Sequence, residues 1–178
     1  MFSAKKIVIT GPESVGKSTL CNRLAEHCGG LCVPEYARSY VEQLSTPYIY
    51  ADLENIARKQ IQQLGSDYEA AQNYVFFDTG LIVTKIWFSE VYGKVPAFLS
   101  EALAQLKIHR YLLCYPDIEW IPDKVRENSG ENRFRLFQLY ENELIKLKQN
   151  YIIIRGVGEQ RFKNALFALE SARSLHNE

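Results

Sequence analysis

A chain of 178 residues, 47% of them hydrophobic, is long enough to bury one sizeable core, and a single domain over 1–178 is the expectation. Its 21 Lys and Arg cancel its 21 Asp and Glu, which excludes a global positive field for nucleic acid or an anionic membrane, so any anion site must be local. No apolar run approaches the roughly 20 residues that cross a bilayer. Cys21, Cys28, Cys32 and Cys114 form no CxxC pair and no cleavable leader is evident, which points to reduced thiols and a cytoplasmic location.

The pattern predicts a first strand over 6–10, a glycine loop, and a helix over 17–28 that Gly29 and Gly30 stop. A short strand over 31–33 leads through Pro34 into helical EYARSYVEQL, and a long helix is expected over about 52–73. YVFFD, at 74–78, has the near-continuous apolar character of a strand covered on both faces, and Leu81, Thr84, Lys85 and Phe88 then recur at helical spacing. Beyond Pro96 a helix should run to about 106; RYLLCY should form a fourth strand and YIIIR, from Tyr151, a fifth, each followed by more polar sequence. Strands alternating with helices favour a parallel sheet wrapped on both faces, with ligands outside the carboxyl ends of the strands. The polar stretch PDIEWIPDKVRENSGEN, at 116–132, is the one long irregular candidate and is expected to be a mobile lid.

GPESVGKS fits the phosphate-cradling pattern GxxxxGKS between a strand and a helix, where a chance glycine turn would need neither. Gly11 and Gly16 let the backbone curl until amide N–H groups converge on a phosphate, and the following helix adds the positive end of its dipole. ATP contacts are therefore assigned to Gly11, Pro12, Glu13, Ser14, Val15, Gly16, Lys17, Ser18 and Thr19. Lys17 should bridge the β- and γ-phosphates and Ser18 should place its hydroxyl on magnesium.

Asp78 ends an apolar strand where such folds hold magnesium; the alternative is a solvated strand-end acid. Glu35, just past the second strand, would stand on the same rim and can take a proton from an acceptor hydroxyl, or it merely opens a helix. Either acid is a candidate base, with the preference Glu35 as base and Asp78 on the metal. Arg126 and Arg133 flank ENSGEN and are assigned to a lid that brings two guanidiniums over the triphosphate; the alternative is a solvated loop in which Glu127 and Glu131 pair with them. Arg135, two residues past Arg133, cannot share its helical face.

Taken together and in order, GPESVGKSTL, VPEYARSYVE, FFDTGLIVTKIWF and PDIEWIPDKVREN resemble the ribosylnicotinamide kinase domain of NadR-type proteins across nearly the whole chain. The resemblance implies a P-loop kinase fold with a five-stranded parallel sheet and helices on both faces, with ATP and magnesium as co-substrates. It also implies phosphorylation of the 5′-hydroxyl of nicotinamide riboside. None of His27, His109 or His176 sits in the HxGH-type motif of the adenylyltransferase domain that multidomain relatives carry, so the kinase part alone is expected. One departure is Gly80, where a second acidic residue is expected in many relatives.

For such an acceptor, a flat cation, the aromatic faces of Tyr36, Tyr40, Trp87 and Trp120 are candidates, each with packing as its alternative role. Thr84 and Asp117 are candidates for the ribose, and Gly156 and Gly158 in RGVGEQR for the adenine end of ATP. Two other readings stay open. Arg38 could hold the phosphate of a nucleoside monophosphate, making the chain a nucleoside monophosphate kinase. A regulatory P-loop ATPase without a small-molecule acceptor is the other. The expected partner is a small-molecule nucleoside, with no nucleic acid and no membrane; a homo-oligomer is compatible with the sequence but not specified by it.

Overall fold

Ile7, Val8 and Ile9 alternate sides along the first strand, yet all three are fully buried, so the sheet they belong to must be covered on both faces. The computed structural model describes residues 4–68, 71, 73–122 and 130–170. Its strands β1 (Lys5–Thr10), β2 (Leu31–Val33), β3 (Tyr74–Asp78), β4 (Arg110–Cys114) and β5 (Tyr151–Ile154) form one parallel sheet in the order β2-β3-β1-β4-β5. The helices are α1 (Lys17–Cys28), α2 (Tyr36–Glu42), α3 (Tyr50–Gly65), α4 (Leu81–Tyr92), α5 (Ala97–Gln105), α6 (Glu131–Lys146) and α7 (Gly158–Glu170).

Side-chain alternation sorts the core into two layers. Ile7, Ile9, Phe76 and Leu112 pack with α1 and α7 residues such as Leu24 and Ala165. Val8, Val75, Phe77 and Leu113 pack on the other face with Leu53 of α3, Ile82 of α4, Leu103 of α5 and Phe137 of α6. Burying each large apolar side chain contributes about 1.5–3 kcal/mol. Because β1 exits into α1 on one face and the neighbouring β3 exits into α4 on the other, their carboxyl ends border a topological switch point, where open α/β sheets bind ligands.

The expected helix over 52–73 ends early, at Gly65. Ser66 turns extended, and both its backbone N–H and its hydroxyl donate to the Gln62 carbonyl, at 3.0 and 2.7 Å, closing the helix there. The polar sequence after β4 and β5 holds two helices that the reading above leaves unassigned, and α6 already begins at Glu131, inside the expected lid. Of that lid, residues 123–129, with Arg126, lie outside the described residues. Among the described residues no helix is long and apolar enough to cross a membrane.

Gly80 explains itself sterically. A Cβ there would lie 2.8 Å from Cγ1 of the fully buried Val8, so no side chain, acidic or otherwise, fits unless Val8 shifts. Gly80→Ala is expected to destabilise by about 1–3 kcal/mol through overpacking. An unchanged thermal midpoint would show that Val8 yields.

Candidate active site

The loop after β1 is shaped by two glycines. Gly11 has φ +142°, and a Cβ on it would meet the carbonyl oxygen of Cys114 at 2.7 Å, so β4 and the loop touch only because no side chain intervenes. Gly16, at φ +72°, caps α1 in the left-handed region, and no side chain caps the helix, which leaves its first N–H groups for an anion. The Lys17 ammonium folds back over the loop, donating to the carbonyls of Gly11 (3.1 Å) and Pro12 (2.7 Å).

Around this loop lies a cavity of about 510 Å³. Gly11, Glu13, Ser14, Val15, Gly16, Lys17, Ser18 and Thr19 share its lining with Glu35, Arg38, Tyr48, Thr84, Trp87 and Glu90. Glu35 is half-buried at the N-cap of α2 and makes no side-chain cap hydrogen bond. Burial pushes its carboxyl above the ordinary range, the Lys17 charge pulls it back, and the Asp78 charge pushes it up again. Asp78 is also raised by burial, against a hydrogen bond from Ser18 and the charges of Lys17 and Arg38. Its Oδ1 is buried without a partner, as are the hydroxyls of Thr10 and Thr79 beside it in sequence and register.

Thr79 carries a further signature. Its φ of +70° is costly for a β-branched residue, of order 1–3 kcal/mol, and its N–H is held by the Ile9 carbonyl at 2.9 Å. The turn at the end of β3 brings Thr79 into the cavity lining, with Asp78 buried directly before it.

The structure gives several expected site residues other tasks. Arg133 does not offer a free guanidinium: it is buried, and donates to the carbonyls of Ser14 (3.3 Å), Pro116 (3.4 Å) and Ile118 (2.7 Å). Burial lowers its pKa, and its position pins the loop to the segment after β4. Ser14, at φ +54°, extends the same tie, donating to the Glu119 carbonyl and accepting from the Ile121 N–H.

Tyr40 donates to Asp52 at 2.9 Å and joins α2 to α3, stacking obliquely on Tyr36; neither ring lines the cavity. Thr84 reaches the cavity wall, but its hydroxyl is spent on Gln60 at 2.6 Å. Trp87 donates to the Tyr48 hydroxyl at 3.1 Å and sits edge-on to that ring. Trp120 is half-buried with its indole N–H unpartnered and lies outside the cavity lining.

Asp117, expected near a ribose, instead accepts from the Gly156 N–H at 2.7 Å and pairs with Arg161. Arg161, 3% exposed, also donates to the carbonyls of Val15, Tyr115 and Gly156 at 2.8, 2.9 and 2.7 Å. Sequence reasoning missed this hub, which joins the phosphate loop to the ends of β4 and β5. Gly156 and Gly158 thus belong to a tight turn into α7 that does not line the cavity.

A parallel sheet in this order, with a glycine loop opening α1 and an acid closing the adjacent strand, defines the P-loop kinase fold. The chain belongs to the family described as AAA domain, whose model matches residues 6–161. The trifunctional NAD biosynthesis/regulator protein NadR of Escherichia coli (strain K12) is 25% identical over 99% of this chain and 44% of its own length. The crystal structure of NadR protein in complex with NR matches with a TM-score of 0.79 at 24% identity, over 94% of this chain and 51% of that one. A second NadR structure, in complex with NAD and AMP-PNP, matches with a TM-score of 0.76 at 22% identity, over 98% of this chain and 51% of that one. The resemblance read from the sequence is borne out, and the chain spans about half the length of these relatives or less.

Proposed function

We propose that this chain is an ATP- and magnesium-dependent nucleoside kinase that transfers the terminal phosphoryl group to the 5′-hydroxyl of nicotinamide riboside, giving nicotinamide mononucleotide. The observation that carries the reading is one cavity lined both by the phosphate loop and by Glu35, Trp87 and Tyr48. Relatives whose names and structures point to NAD biosynthesis, NR and an ATP analogue support the same assignment.

On this reading the loop amides and Lys17 hold the triphosphate and meet the charge that spreads onto its terminal group during in-line transfer. Glu35 takes the proton of the attacking hydroxyl as its oxygen bonds to phosphorus; a carboxyl raised toward neutrality is a better base than an ordinary one. Ser18 and Asp78, with its orphaned Oδ1, would hold magnesium together with phosphate oxygens. Two protein donors suffice, since magnesium keeps waters and phosphates as its other ligands. Bound there, the ion would neutralise the β- and γ-oxygens. Arg126 completes the proposal as a lid cation, and Arg133 serves as a positioning residue for the loop.

The charges of the acceptor wall favour a nucleoside over a nucleotide. Besides Glu13 of the phosphate loop, Glu35 and Glu90 line the cavity, Glu90 paired with Arg135, and the cations of the lining among the described residues are Lys17, needed for ATP, and Arg38, paired with Glu42 at 2.9 Å. Such a lining offers little positive charge to a second phosphate and suits a cationic pyridinium over Trp87 and Tyr48. Incubation with ATP, magnesium and a panel of nucleosides and nucleotides should give ADP only with a nucleoside, foremost nicotinamide riboside. A nucleoside diphosphate product would shift the assignment to a monophosphate kinase, and ATP loss without acceptor to an ATPase.

A further inference from the structure

Cys21 and Cys32, unconnected in the sequence pattern, meet in the fold. Cys21 lies on the sheet-facing side of α1, fully buried, and Cys32 lies on the same face of β2. Their sulfurs are 2.6 Å apart, and both are free thiols. Cys32 is half-buried, so one member of the pair is open to attack while the other is shielded behind it. The asymmetry extends to their chemistry. The hydrogen bond between the two sulfurs holds the Cys32 thiol below its ordinary range, which favours a thiolate there, whereas that bond and burial raise Cys21.

From this geometry we infer that Cys21 and Cys32 form a redox-active dithiol that closes reversibly to an intramolecular disulfide on exchange with a low-molecular-weight disulfide. The steps balance as ordinary thiol exchange. The Cys32 thiolate attacks one sulfur of oxidised glutathione; that S–S bond breaks, and one glutathione leaves and takes up a proton. The Cys21 thiol then loses its proton and attacks the Cys32 sulfur of the mixed disulfide, releasing the second glutathione as a thiol. Two protein thiols are oxidised and one glutathione disulfide is reduced to two thiols.

The location gives the bond consequence. Cys21 is one helical turn beyond Lys17, and Cys32 is three residues before Glu35, so the disulfide would fasten the helix behind the phosphate loop to the strand that delivers the carboxylate.

The test uses the full chain, reduced, then equilibrated with oxidised glutathione, with free thiols titrated after denaturation and intact mass recorded. The expected result is loss of two of the four thiols, a mass decrease of two hydrogens with no glutathione retained, a linked Cys21–Cys32 peptide, and full reversal by dithiothreitol. Cys21→Ala should instead stop at a stable glutathione adduct on Cys32, and Cys32→Ser should leave Cys21 unreacted. Four free thiols in the treated wild type, a retained adduct as its end product, or linkage involving Cys28 or Cys114 would overturn the inference. These readouts do not depend on which acceptor, if any, the protein phosphorylates.

Discussion

Lys17→Ala is expected to lower kcat/KM for ATP-dependent turnover by about 10²–10³-fold, the usual effect of deleting one preorganised donor from a site where charge develops. The fold should survive. The ammonium's partners are the carbonyls of its own loop, Gly11 and Pro12, so these two hydrogen bonds tie no separate element of the fold to another. A further consequence separates this residue from a merely structural one. The Lys17 charge holds the carboxyls of both Glu35 and Asp78 down against the upward push of burial. Without it both rise further, so the acidic limb of the residual pH–rate profile should move to higher pH. Turnover within a factor of two of wild type, or a fixed acidic limb, would remove Lys17 from the chemistry.

The features legible in the sequence are those with local causes. The helix over 17–28 and the strands over 31–33 and 74–78 end where glycines, a proline or a terminal acid punctuate them, and the structure has those bounds. The phosphate loop was readable because its glycines must stand at fixed spacing for the backbone to curl. The helix expected to reach 73 misled because Ala70, Ala71 and Gln72 favour helix, while the stop comes from one serine turning back on Gln62. Helix α6 had a signal, apolar Leu136, Phe137, Tyr140 and Leu144 at helical spacing, but charged residues between them obscured it.

Other features had no local signature. Arg161 finds Val15 across 146 residues and Asp117 across 44, and the two sulfurs of Cys21 and Cys32 meet only because α1 lies over β2. Gly80 reads as a missing acid until Val8, on the next strand, is seen to occupy the space. Arg133 looked like a lid cation because charge is visible in sequence and burial is not.

Asp78→Asn is expected to inactivate the protein and to stabilise it without ligand. Asp78 is 5% exposed, its Oδ1 has no partner, and burial raises its pKa against the hydrogen bond from Ser18 and the charges of Lys17 and Arg38. A carboxyl raised in the folded state contributes stability that is fully present below its unfolded pKa of about 3.9 and is lost as pH rises through the folded value. At neutral pH the ionised group therefore works against folding. The isosteric amide removes that charge, and a gain of about 1 kcal/mol would raise Tm by roughly 2–4 °C for a chain of this size. The gain should shrink as pH falls through the folded value, where the wild-type carboxyl becomes neutral by itself. Activity should drop by at least about 10²-fold, because the amide oxygen carries no net charge for a cation, and Glu35, freed of a neighbouring negative charge, should titrate lower. A variant that melts lower than wild type at neutral pH, or keeps its turnover, would show that the buried carboxylate is there for packing, whereas higher Tm with lost turnover is the signature of a residue retained at a cost to stability for what it binds.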